Sequence, residues 1–221
     1  MSSALPGVIF DWDGVIIDSS RQHEESWERL AREERRPLPA DHFKLGFGRK
    51  NEWIIPQLLR WTEAPAEIRR LSLRKEALYR KIVVERGIEP LPGVAAFLER
   101  LQAGEVPCCI GSSTHRENIL TILDVLGFTD RFGGMVTAED VGQGKPHPEV
   151  FLKAAAQIGR APVQCVVFED ALAGIEAARA GGMKVVGVAT THPAATLGTA
   201  DRVVHRLDEL TVADLEKLIS G

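Results

Sequence analysis

The stretch Val8-Ile9-Phe10-Asp11-Trp12-Asp13-Gly14 decides the reading of this chain. Three apolar residues run straight into an acid, and a short apolar run bounded by turn signals fits a strand buried on both faces. Asp11 and Asp13 stand two residues apart, so an extended backbone would send both carboxylates to one side. Gly14 lets the chain turn away at once. Two adjacent carboxylates repel and raise each other's pKa, so a strand that ends in both needs a divalent cation or a shared proton. For Asp-x-Asp alone, a solvated loop is the plain alternative. A calcium loop fits poorly, because Val15 stands where a further Asp or Asn is needed and the closing Glu is missing.

Downstream of Gly14 the pattern turns helical. Ser20 to Glu34 carries Trp27, Leu30 and Ala31 at helical spacing and stops before Pro37 and Pro39. Residues 41–60 read as further helix interrupted at Gly46-Phe47-Gly48. Residues 64–86 read as a longer helix with Ile68, Leu71, Leu78, Ile82 and Val83 on one face. The other face holds Arg69, Arg70, Arg74, Lys75, Arg80 and Lys81, expected to be solvated and open to an anionic ligand. Past a Gly/Pro connector at 87–93, strands and helices alternate. Strands are expected at 106–110, 135–136, 164–168, 184–188 and, at an edge, 202–204. Helices are expected at 94–103, 116–126, 148–158, 171–180 and 212–219. Alternation of this kind implies a parallel sheet covered on both faces, with ligands bound outside the carboxyl ends of its strands. The expected fold is α/β, a Rossmann-like core of residues 1–15 and 91–221 with an all-helical insertion at 16–90.

Composition excludes several classes. At 221 residues the chain can hold a core domain and an insertion. A net charge of −4 creates no field that would attract nucleic acid or an acidic membrane. No apolar stretch is long enough to span a bilayer, and Met1 to Pro6 has no signal-peptide character, so a cytoplasmic protein is expected. Cys108, Cys109 and Cys165 lie within apolar runs without metal-ligand spacing and read as reduced core residues.

The strand ends form one chemical set. The first ends in Asp11 and Asp13, the second in Gly111-Ser112-Ser113-Thr114, and the strand from Gln164 in Glu169-Asp170; Gly142-Gln143-Gly144-Lys145-Pro146 leads into the helix between. Clustered carboxylates suit Mg²⁺, which screens the repulsion between an anionic nucleophile and a phosphate. Asp11 would attack phosphorus, Asp13 would act as general acid and base, Ser112 and nearby backbone N–H groups would bind phosphate oxygens, and Lys145 would balance charge. Taken singly, Ser112 also reads as a turn residue, Lys145 as an exposed loop lysine, and Glu169-Asp170 as a helix cap.

These motifs resemble those of the haloacid dehalogenase-like (HAD) superfamily. Asp11-Trp12-Asp13-Gly14-Val15 is similar to its first motif, Ser112 to the second, Lys145 within Gly-Lys-Pro-His-Pro-Glu to the third, and Glu169-Asp170 with Gly174-Ile175-Glu176-Ala177-Ala178 to the fourth. The resemblance implies a Rossmann-like core, a helical cap inserted after the first strand, and Mg²⁺ held by the Asp11 carboxylate, the Asp13 carbonyl and Asp170, with Glu169 supporting. The dehalogenase and phosphonatase branches lack the acid at Asp13, which points to phosphate esters. Asp18-Ser19, His23, Trp27, Gly48-Arg49, Arg74-Lys75 and Tyr79 resemble the β-phosphoglucomutase-like branch, which implies substrate contacts at Ser113, His23, Arg49 and Lys75. The Trp61–Tyr79 segment also looks like phosphatases acting on a flavin precursor, and Ser113 to Asn118 looks more like phosphatases than the mutase. Three functions follow as expectations: a Mg²⁺-dependent phosphatase of a small phosphorylated metabolite acting through an aspartyl-phosphate, a sugar-phosphate mutase, or a non-catalytic phosphate-binding module. The expected partner is the small metabolite alone, with no nucleic acid or membrane, and the expected state is monomer or weak dimer.

Overall fold

The computed structural model describes residues 5–46 and 49–221, so Phe47 and Gly48 of the expected helix interruption lie outside the described residues. The chain divides into two compact units, one running as far as Asp18 and resuming at Glu89–Gly221, the other Ser19–Ile88. Backbone pairing explains why residues 16–18 and 89–90 group with the sheet unit, beyond the 16–90 bounds expected of the insertion. Ile17 bridges Pro90, and the Leu91 N–H donates to the Ile16 carbonyl at 2.8 Å.

The helical unit contains α1 (Ser20–Glu33), α2 (His42–Gly46), α3 (Asn51–Trp53), a π-helical turn at Ile54–Leu58, and α4 (Pro65–Arg86). Trp27, Leu30 and Ala31 of α1 pack with Leu71 and Leu78 of α4 and with Ile54, Ile55 and Trp61. The basic face of α4 departs from expectation. Arg74 makes two 2.8 Å bonds to Glu33, and Arg70 bonds both Glu34 and Glu67, so glutamates occupy the guanidiniums reserved for an anionic ligand. Lys75, expected on the solvated face, is buried at 3% side-chain exposure because Glu76 and His23 receive its ammonium.

The sheet unit carries β1 (Gly7–Phe10), α5 (Val94–Ala103), β2 (Cys108–Gly111), α6 (Arg116–Leu126), β3 (Met135–Val136), α7 (Glu149–Gln157), β4 (Cys165–Glu169), α8 (Leu172–Ala180), β5 (Lys184–Val188), β6 (Arg202–Val204) and α9 (Val212–Ser220). The strands are parallel in the order β3-β2-β1-β4-β5-β6. This is the Rossmann-like α/β core, with β6 at an edge. β2 starts two residues later than the apolar run suggests, because the Val106 N–H is used to close α5 against the Leu101 carbonyl. Cys108, Cys109 and Cys165 are buried free thiols.

The order reverses between β1 and β4, where an open parallel sheet presents its ligand crevice. Register fixes what meets there. Phe10 pairs with Phe168, their rings stack at 5.1 Å, and Phe97 packs edge-on against both. A slip of one residue would exchange these buried rings for the acids that follow them, which sheet burial forbids. Asp11 and Glu169 therefore emerge side by side.

Two helix ends carry strain that glycine would relieve. Arg35 after α1 (φ 52°) and Glu105 after α5 (φ 54°) are left-handed, each followed by a residue whose N–H reaches back five positions. Glycine is the usual residue there. Glu105→Gly and Arg35→Gly should each stabilise by about 0.5–1 kcal/mol, read as a melting temperature higher by about 1–4 °C; an unchanged or lower value would contradict the assigned backbone.

Candidate active site

β1 hands Asp11 to the site still on the ladder, since the Asp11 N–H donates to the Phe168 carbonyl at 2.9 Å. The chain then turns: the Trp12 carbonyl accepts from Ile16 at 2.9 Å, and the Gly14 N–H donates to Ile17 at 2.8 Å. Asp13 accepts a 2.6 Å hydrogen bond on Oδ2 from the Thr114 hydroxyl.

Asp11, Glu169 and Asp170, all buried, can each bring one carboxylate oxygen within 4.8 Å of the others. Lys145 enters this group. Its Nζ lies 2.7 Å from Asp11 Oδ1 and 2.6 Å from Glu169 Oε1, and 4.6 Å from the centre of the Phe151 ring. Burial works against its charge, but Asp11 and Glu169 outweigh that and hold it above the ordinary lysine value. The loop carrying Lys145 is pinned by Glu149 at the start of α7, whose Oε2 accepts from the N–H groups of Gly142 and Gln143 at 3.1 and 3.0 Å. The glutamate that ends Gly-Lys-Pro-His-Pro-Glu thus has a structural task.

The three carboxylates are not equivalent. Both oxygens of Glu169 are engaged, Oε1 by Lys145 and Oε2 by the Ala171 N–H at 2.9 Å. A Cβ on Gly174 would lie 1.7 Å from Glu169 Oε1, so glycine is needed for this packing. Glu169 therefore acts as the counter-ion of Lys145, and Asp11 and Asp170 are left as the better metal ligands. Gly14 (φ 79°) plays the same part for Asp170, since a Cβ there would sit 2.1 Å from Asp170 Oδ2. Three carboxylates and one ammonium leave two uncompensated negative charges (three minus one) among buried groups. A hard divalent cation matches that deficit in sign and size, so the donor set fits Mg²⁺.

Ser112, 2% exposed, follows β2 with its Oγ accepting from the Thr114 N–H at 3.1 Å, and Ser113 is exposed beside it. Thr114, named in the sequence with the end of this strand but given no role there, bonds Asp13. Sequence reasoning missed Thr190, Thr191 and His192 after β5. Thr190 donates to the Gly14 carbonyl, Thr191 to Asp170 Oδ2, and His192 Nδ1–H to the Asp170 carbonyl at 3.1 Å. Extending the strand-end rule to β5 would have found them.

His23, Arg49 and Lys75 lie in the helical unit. Lys75 Nζ donates to His23 Nδ1 at 2.6 Å, and Glu76, bonded to Asn51 at 2.7 Å, lies 3.0 Å from the same ammonium. His23 stacks on Tyr79 at 4.0 Å. Burial and then the Lys75 charge drive His23 down to about 3, against an opposing pull from Glu76, so it is neutral. The Arg49 guanidinium lies 4.9 Å over the Trp53 ring.

A model of haloacid dehalogenase-like hydrolases matches residues 5–182. The chain is 39% identical over 215 residues to the chloroplastic 5-amino-6-(5-phospho-D-ribitylamino)uracil phosphatase of Arabidopsis thaliana, covering 96% of this chain and 57% of that protein. It therefore spans little more than half of that relative. It is 33% identical over 214 residues to β-phosphoglucomutase of Bacillus subtilis, covering 94% of this chain and 92% of the other. The crystal structure of a HAD hydrolase, family IA, variant 3, from Entamoeba histolytica matches with a TM-score of 0.86 at 26% identity, over 98% of this chain and 100% of that one.

Burial, then Asp11, raises Glu169 to about 7 and Asp170 to about 6, with the Lys145 charge and the Thr191 hydroxyl opposing. In the metal-free protein these carboxyls ionise later than in the unfolded chain, so the folded state holds the extra protons. Their contribution to stability falls as pH rises from the ordinary carboxylate range to about 7. A cation held by Asp170 would displace its proton, so added Mg²⁺ should release protons at about pH 6 and below and almost none above about pH 8. Calorimetry in buffers of different ionisation enthalpy reads this directly; proton release independent of pH would contradict the assignment.

Proposed function

The chain belongs to the haloacid dehalogenase-like hydrolase family, and from that premise we propose that it is a Mg²⁺-dependent phosphatase of a small phosphorylated metabolite. The observation that carries the reading is Lys145, bonded at once to Asp11 and Glu169 beside Asp170. Such a cluster makes a carboxylate nucleophile usable against an anionic ester. When bound by Asp11 and Asp170, Mg²⁺ supplies charge screening between Asp11 and the phosphate.

The chain's own residues do the rest. Lys145 holds Asp11 Oδ1, leaving the other oxygen to attack phosphorus and form an aspartyl-phosphate. Asp13 gives its proton to the departing alkoxide, and then takes one from the water that attacks phosphorus and restores Asp11. Ser112 donates to a phosphate oxygen while its own oxygen accepts from Thr114. We assign substrate selection to the helical unit as a cap, with His23 and Arg49 touching substrate and Lys75 acting through His23, to which it is bonded. Ser113 is assigned to the phosphate. Phosphorylated sugars, sugar alcohols and ribityl compounds are the favoured substrate class, which the Arabidopsis thaliana phosphatase supports. The free thiols favour a reducing compartment such as the cytoplasm.

The Bacillus subtilis relative, matched over 92% of its length, supports a mutase as the second reading. The two readings share the first step and differ in whether water or a sugar hydroxyl takes the phosphoryl group.

Phosphate release from a panel of phosphorylated metabolites with Mg²⁺ tests the proposal. Turnover should vanish in Asp11→Asn and fall about 10²- to 10⁴-fold in Asp13→Asn. β-Glucose 1-phosphate with a trace of the 1,6-bisphosphate, converted to glucose 6-phosphate without free phosphate, would establish the mutase instead.

A further inference from the structure

Three consecutive residues after β5 reach back into the site, and they lie beyond residue 182, where the family match ends. The Thr190 hydroxyl donates to the Gly14 carbonyl, the Thr191 hydroxyl to Asp170 Oδ2, and His192 Nδ1–H to the Asp170 carbonyl at 3.1 Å. The loop is exposed, yet each of its three side chains is bonded to Gly14 or Asp170.

Its anchorage is rigid on both sides. Before it, the Ala189 N–H donates to the Val204 carbonyl of β6 at 2.8 Å. After it, Leu197 is fully buried, and a Cβ on Gly187 would approach Leu197 Cβ to 3.1 Å. Gly14 completes the fit, since a Cβ there would lie 2.1 Å from Asp170 Oδ2 and 2.7 Å from Thr191 Oγ1. The first-strand loop, the β4 acid and the β5 loop therefore interlock at one point.

We propose that Thr191 is a positioning residue for the metal site: its hydroxyl occupies Asp170 Oδ2 and fixes the carboxylate so that the other oxygen serves as the ligand, while Thr190 and His192 hold the loop and the Asp170 backbone in place. The proposal rests on the Mg²⁺ reading above. A carboxylate with one oxygen tied by a neutral donor keeps its charge and loses rotational freedom, which favours a small cation that demands near-ideal geometry. Serine preserves the hydroxyl, whereas valine preserves the shape and removes it.

The test is calorimetric titration of the intact, substrate-free protein with Mg²⁺, and with Mn²⁺ as a second probe, in wild type, Thr191→Val and Thr191→Ser. Thr191→Val should bind about 10- to 100-fold more weakly, while Thr191→Ser stays within about 3-fold of wild type. Thermal melts without metal check that Thr191→Val is folded; if it is not, Thr191→Ala is expected to show the same weakening. Wild-type affinity in the valine or alanine variant, or equal weakening in the serine variant, would overturn the role of the hydroxyl. Failure of wild type to bind either ion would instead overturn the metal reading on which the proposal stands.

Discussion

Lys145 between Asp11 and Glu169 is the contact on which the rest depends. Without its ammonium, three buried carboxylates would face one another with nothing to offset their repulsion. With it, Asp11 Oδ1 is held by an ammonium at 2.7 Å. Most of the nearby architecture serves this contact. Glu149 pins the loop that delivers Lys145, Ala171 and Gly174 seat Glu169, and the Phe10–Phe168 stack sets the level at which β1 and β4 end.

The same cluster carries a burial cost: two uncompensated negative charges among buried groups are unfavourable, and the divalent cation proposed here would offset them on binding. Hydroxyls from two loops, Thr114 on Asp13 and Thr191 on Asp170, then separate the tasks of neighbouring acids without adding further charge.

Much of this was legible in the sequence, for definable reasons. Val8 to Phe10, Cys165 to Phe168 and Val185 to Val188 are apolar runs that read as buried strands, and the acids after the first two marked where the sheet ends. What was not legible depends on partners far apart in the chain. Lys75 counted as one more cation on a basic helix face, because its burial comes from His23, 52 positions away, as well as from adjacent Glu76. At the end of α5, the left-handed residue is Glu105 and not the neighbouring Gly104, which no local pattern marks.

The central claim is that this cluster makes Asp11 a phosphoryl acceptor. Rapid acid quenching during turnover with Mg²⁺, followed by peptide mass analysis, addresses it most directly. The account predicts one phosphoryl group on the peptide containing Asp11, absent from Asp11→Asn. Steady hydrolysis of the same ester with no phosphoryl group on the protein at any quench time would contradict it.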